Sequence, residues 1–130
     1  MSRPVSEVMT AAVVTVDTQD TLDKVEEVMD SHHLTSVPVV DSKGVVFGVI
    51  SACDLVRFHN MHKNLKSQRA WEMCTYKPLV VAPTASSVEV ANMMVDKRIH
   101  HVLVVEDGRV TGIVSSLDLI ERHLLKNGDR

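Results

Sequence analysis

Short β-branched runs and helix-spaced apolar positions alternate along the chain. Val13-Val14-Thr15-Val16 reads as a strand, and Thr21 then predicts the cap of a helix whose apolar face is Leu22, Val25, Val28 and Met29. Val37-Pro38-Val39-Val40 and Val45-Val46-Phe47-Gly48-Val49-Ile50 are apolar runs on either side of Asp41-Ser42-Lys43-Gly44. Polar residues followed by glycine predict a hairpin there. Ser51 predicts the cap of a second helix carrying Leu55 and Val56, which should run through His62 because no Gly or Pro interrupts it.

The same order then recurs. A shift of 65 residues lays Glu7, Thr10, Val16, Met29, Val37, Val39 and Val40 on Glu72, Thr75, Val81, Met94, Val102, Val104 and Val105. After a one-residue deletion in the turn, Gly44, Val46, Gly48, Ser51, Asp54 and Leu55 fall on Gly108, Val110, Gly112, Ser115, Asp118 and Leu119. The second copy predicts a strand over 79–81, a helix over 86–97, strands over 102–105 and 110–114, and a closing helix from Ser116 towards Leu125. The expected class is α+β, with two repeats divided as 1–65 and 66–130. The polar stretch from His59 to Ala70 is read as helix end and connector. A half of this size buries too little apolar surface alone, so the two sheets are expected to pack on each other about a pseudo-twofold axis.

Composition narrows the function. The 130 residues carry a formal charge of −3 and 3% aromatic residues, which argues against nucleic acid as the main partner. Residues 1–65 hold 5 Lys/Arg against 9 Asp/Glu, whereas the remainder hold 9 against 8, so the basic groups lie mostly in the second half. No signal peptide is recognisable and no apolar run approaches the ~20 residues that span a bilayer. A cytoplasmic protein without membrane contact is expected. Cys53 and Cys74 are too few for a disulfide framework or a four-cysteine zinc site, and both are expected to be reduced and buried in helices.

The candidate chemistry is a repeated Ser-x-x-Asp. Ser51 with Asp54, and Ser115 with Asp118, each place a hydroxyl and a carboxylate at a predicted helix start, where unpaired N–H groups favour an anion. The carboxylate can accept from both hydroxyls of a ribose. No nucleophile elbow, P-loop or Ser-His-Asp order is present, so no catalytic residue is assigned. His59-x-x-His62 supplies two imidazoles, an incomplete metal site, and is assigned to a solvated face. His32-His33 suits a helix C-terminus. Met61, Met73, Met93 and Met94 occupy apolar or helix-packing positions and read as core or contact residues.

Gly48-Val49-Ile50-Ser51-Ala52-Cys53-Asp54 and Gly112-Ile113-Val114-Ser115-Ser116-Leu117-Asp118, set in the doubled strand-helix-strand-strand-helix order, resemble the CBS-domain family. Val8-Met9-Thr10, Met29 and Val37-Pro38-Val39-Val40-Asp41 add to the likeness, which covers nearly the whole chain. Two departures are Ser51 and Ser115, where the family often has Thr, and Leu103, which stands where the first copy has Pro38.

The resemblance implies a non-catalytic regulatory module that binds AMP, ADP, ATP or S-adenosylmethionine in clefts between the two domains, with no obligatory cofactor. It implies a cleft built on Ser51 and Asp54 that draws on Thr75, Leu79, Ile99, His100 and His101. A second cleft, built on Ser115 and Asp118, would draw on Thr10, Val14, Leu34, Thr35 and Ser36. It also implies a disc-shaped homodimer through helices 52–62 and 116–125, acting on a regulated protein that the sequence does not name. An assembly module with empty clefts is the alternative, and a metal-responsive sensor is a third.

Overall fold

A computed structural model describes residues 2–76 and 78–125, with the side chains of Tyr76 and of residues 123–125 outside that description. The chain divides into two compact units: Val14–Pro78, and Met1–Val13 together with Leu79–Arg130.

In the first unit, strand β1 (Val16–Asp17) and strand β2 (Ser36–Val40) run parallel, which requires a crossover, supplied by helix α1 (Leu22–Ser31). Strand β3 (Val46–Ser51) returns antiparallel to β2, and helix α2 (Ala52–Asn60) follows without a loop. A 3-10 turn (Leu65–Ser67), helix α3 (Ala70–Met73) and strand β4 (Thr75–Tyr76) complete the unit, in sheet order β1-β2-β3-β4. Leu22, Val25 and Met29 of α1 meet Val37 and Val39 of β2, Ile50 of β3, and Leu55 and Phe58 of α2, all buried.

The second unit repeats the plan with β5 (Val80–Val81), α4 (Ser87–Lys97), β6 (His101–Glu106), β7 (Arg109–Ser115) and α5 (Ser116–Leu119), in sheet order β5-β6-β7. Its core is Val90, Met94, Val102, Val104, Val114 and Leu119, joined by Val5 and Val8 from the start of the chain. The hairpins differ as the repeat alignment requires. Asp41 Oδ1 accepts from the N–H groups of Lys43 and Val45 in the first. In the second, Asp107 and Gly108 both take positive φ, the conformation of a tight two-residue hairpin turn. Both sheets carry the same irregularity, between Val39 and Val40 and between Val104 and Val105.

The compact units are not the two sequence repeats. β4 belongs by repeat position to the second copy, yet it pairs antiparallel with β3 of the first. Its counterpart Thr10 exchanges both backbone hydrogen bonds with Ile113 of β7, at 2.9 and 3.0 Å. Each copy's leading segment therefore covers the open sheet edge of the other copy's strand. Gly48 and Gly112 make this approach possible. A Cβ at Gly48 would lie 2.5 Å from the carbonyl oxygen of Thr75 and 2.7 Å from Cys74 Sγ, whereas the three atoms nearest one at Gly112 all belong to the side chain of Met9.

Other expectations shift in detail. Strand β1 begins at Val16, later than Val13. The Thr21 side chain makes no cap and donates instead to Asp23. α2 ends at Asn60, and His62 turns to positive φ. The closing helix is α-helical only to Leu119 and widens to a π-helix over Ile120–Leu125, where the Arg122 carbonyl accepts from Arg3 at 2.7 Å. Cys53 is exposed on the first turn of α2, while Cys74 lies buried just after α3.

The asymmetry at the glycines gives a differential prediction. Gly48→Ala collides with backbone and should destabilise the protein by about 1–3 kcal/mol, the usual cost of overpacking. Gly112→Ala meets a flexible thioether and should cost less. Urea midpoints of the two variants measure the difference.

Candidate functional site

The repeated Ser and Asp form reciprocal caps. At α2 the Ser51 hydroxyl accepts from the Asp54 N–H at 3.1 Å, and Asp54 Oδ2 accepts from the Ser51 N–H at 2.9 Å. At α5 the Ser115 hydroxyl accepts from the Asp118 N–H at 3.0 Å, and Asp118 Oδ2 accepts from the Ser115 N–H at 2.9 Å. This is the capping-box logic with Asp in the third position. One carboxylate oxygen is thus committed to the fold in each pair, and Oδ1 is the oxygen with capacity left for a ligand.

The residues around each pair are set by how α1 and α4 end. His33 adopts φ 54°, and the Leu34 N–H then reaches back to the Met29 carbonyl at 2.8 Å, the closure of a Schellman turn. Arg98 takes the same φ, and the Ile99 N–H reaches the Met94 carbonyl at 3.1 Å. Both turns release the chain directly into the strand beside the Ser–Asp pair. Ser36 lies opposite Ser51, and His101 lies opposite Ser115. The Thr35 carbonyl accepts from the Ala52 N–H at 2.8 Å, and the His100 carbonyl accepts from the Ser116 N–H at 2.9 Å.

Of the residues singled out from sequence, Val14, Leu34, Thr35, Ser36, Ser51, Asp54 and Thr75 lie in the unit Val14–Pro78. Thr10, Leu79, Ile99, His100, His101, Ser115 and Asp118 lie in the other. Thr75 sits across from Val49, one strand over from Ser51. Leu34 packs against the first core and Ile99 against the second, and Leu79 lends its carbonyl to the Leu103 N–H at 3.2 Å. Val14 is partly buried ahead of β1. The Ser36 hydroxyl oxygen is buried with no hydrogen-bond partner, a costly state unless a visiting group supplies one.

Two arginines escaped the sequence reading. Arg57 Nη2 donates to Asp54 Oδ1 at 3.2 Å. Arg122 lies 3.9 Å from Asp118 Oδ1 through Nη2, while its Nη1 donates to the Met9 carbonyl at 2.9 Å and to Val8 O and Thr10 Oγ1 at 3.3 Å each. Their spacing of three and four residues from an aspartate on a helix was the available signal. Beside Asp54 and Arg57, the side chains of Phe58, Met61 and Met73 line a hollow of about 190 Å³. Met61 and Met73 thus face this hollow.

Among the described residues no cluster of three or more His, Cys, Asp or Glu is arranged to hold a metal. His59 turns to α1 and bonds Glu26 through Nε2 at 2.6 Å. Nor is any described helix long and apolar enough to cross a membrane.

Partial burial and the neighbouring His100 hold the His101 imidazole below its ordinary pKa of 6.5, with Asp118 opposing them. The unfolded chain therefore binds a proton that the folded one resists. Stability due to neutral His101 is present above pH 6.5 and is lost as pH falls below it. Urea midpoints at pH 7.5 and 5.5 should show this loss, and His101→Gln should reduce it.

The sequence profile of the CBS domain matches residues 5–60 and 70–124. A CBS domain from a membrane protein of Sphaerobacter thermophilus superposes with a TM-score of 0.81 at 29% identity, over 95% of this chain and 90% of that one. The protein CBSX2, solved in complex with AMP, superposes at 0.86 with 24% identity, over 98% and 99% of the two chains. An inosine-5'-monophosphate dehydrogenase of Methanocaldococcus jannaschii is 25% identical over 89% of this chain. The chain spans 23% of that enzyme, and 78% and 36% of the next two curated relatives. With the same capped Ser–Asp pair standing at the same place in two matched copies, the chain belongs to the CBS-domain family as a tandem pair.

Proposed function

We propose that this chain is a non-catalytic regulatory module that binds an adenosine-containing ligand, AMP, ADP, ATP or S-adenosylmethionine, at its Ser–Asp pairs. The observation that carries the reading is the Oδ1 of each capping aspartate, which the cap leaves unused and which meets only an arginine side chain. The fold requires Oδ2 alone, so Oδ1 can accept from ribose hydroxyls without uncapping the helix. That CBSX2, a protein of the same fold, binds AMP supports the fold's capacity for such a ligand. Occupancy acts on a partner by favouring one of two states of the module, to the extent that the ligand binds one better.

Self-association accompanies this reading. Val56 on α2 and Leu117 on α5 are each 59% exposed, and Ile120 beyond α5 is exposed too. Apolar side chains repeated on corresponding helices favour a homodimer through these faces.

The test is thermal or urea stability with AMP, ADP, ATP, S-adenosylmethionine and adenosine. A ligand at about 100 times its Kd should add about 2.7 kcal/mol. Asp54→Asn and Asp118→Asn, which keep an oxygen for the cap, should each reduce the gain. Absence of any gain in the unaltered protein overturns the ligand reading and leaves assembly as the function.

A further inference from the structure

The two Ser–Asp pairs share a backbone and differ in charge. Arg57 stands three residues after Asp54, and the same repeat position after Asp118 is Glu121. The Arg57 side chain is 74% exposed, so its 3.2 Å contact with Asp54 Oδ1 is a surface ion pair. Such pairs contribute little to stability, and a competing anion can recruit the guanidinium at small cost. One N–H of the five is engaged there, and the hollow lined by Asp54, Arg57, Phe58, Met61 and Met73 opens beside it. At about 190 Å³ the hollow suits one moiety of a nucleotide, not the whole.

The Asp118 pair offers no equivalent. Its nearby arginine, Arg122, spends Nη1 on the Val8 and Met9 carbonyls and the Thr10 hydroxyl. Glu121 is exposed, and His100 and His101 stand in the adjoining strand entry, where burial disfavours the His101 cation.

We propose that Arg57 is the charge-selecting residue of the Asp54 pair, which takes a phosphorylated adenosine, while the Asp118 pair with Glu121 takes a neutral or cationic adenosine compound. The inference rests on the adenosine reading above and adds the class of ligand for each pair. Asp54 by itself repels a phosphate. Arg57 cancels that repulsion and presents a planar fork to the phosphate oxygens, a geometry that guanidinium matches better than ammonium.

The experiment is calorimetric titration of AMP and of adenosine into Asp118→Asn, which retains only the Asp54 pair, with Arg57 intact or replaced. Arg57→Gln should weaken AMP about tenfold, or about 1.4 kcal/mol, and leave adenosine nearly unchanged. Arg57→Lys should restore part of the AMP affinity, which a merely structural role on α2 would not predict for AMP alone. In the Asp54→Asn protein, Glu121→Arg should improve AMP binding at the Asp118 pair. If AMP and adenosine both bind Asp118→Asn and their affinity ratio is unchanged by Arg57→Gln, the charge assignment is wrong and the adenosine reading survives. If the unaltered protein binds AMP or adenosine and Asp118→Asn binds neither, the Asp54 pair is not the phosphate site and the assignment fails. If the unaltered protein binds neither, both readings fall.

Discussion

An uncovered edge of β3 or β7 would leave a row of backbone N–H and C=O groups open to any other strand. Here that edge is closed by the segment that leads into the other repeat, β4 on β3 and Thr10 on β7. The constraint reaches far into the structure. It demands a residue without Cβ at Gly48, and it brings Ala70 and Cys74 into the first core and Val5 and Val8 into the second. Because Ser51 and Ser115 end the strands so covered, the candidate site is anchored where the sheet is best fixed. A cap on a frayed strand would hold its aspartate poorly. Rigid strands are what allow Oδ1 to be presented at a constant position.

The cap also explains how structure and ligand capacity share two residues. In isolation a buried or half-buried carboxylate needs partners, and Asp54 finds them in the Ser51 N–H and in Arg57. The first partner is backbone and belongs to the fold. The second is an exposed side chain and can be exchanged for a ligand. At Asp118 the backbone partner is the same, but the cation lies farther off and is fastened to the leading segment. One motif therefore carries two electrostatic environments.

Much of this fold was legible because its determinants are local. The Leu22, Val25, Met29 stripe, the paired apolar runs and the two Ser–Asp starts each announce an element within a few residues. The exchange of leading segments was not legible. Pairing between Thr10 and Ile113 has no short-range signal, and division of the chain at the repeat boundary hides it. α3 was missed for a related reason: its four residues are held by the Asp20 and Thr18 carbonyls, which accept from Ala70 and Trp71, more than by their own pattern. The π-helical end of the second copy likewise follows from tertiary bonds of Arg122 and Arg3. Arg57 was overlooked since an arginine three residues past an aspartate is common on solvated helices, and only its place beside a hollow gives it meaning.

After duplication, the two copies have been held together where geometry is shared and released where it is not. The Schellman ends of α1 and α4, the irregularity in each hairpin and the two capping boxes all coincide, and each fixes backbone. The differences fall on residues whose side chains make none of those bonds: Thr35-Ser36 against His100-His101, and Arg57 against Glu121. On the function proposed above, the shared backbone would let both Ser–Asp pairs hold a ribose-like diol, whereas the side-chain differences would change the charge that such a ligand meets. A pair whose sites were equal could report only how much of one ligand is present. Unequal sites on one scaffold allow two ligands to bias the same equilibrium in different proportions, which is the minimum a sensor needs to read a ratio.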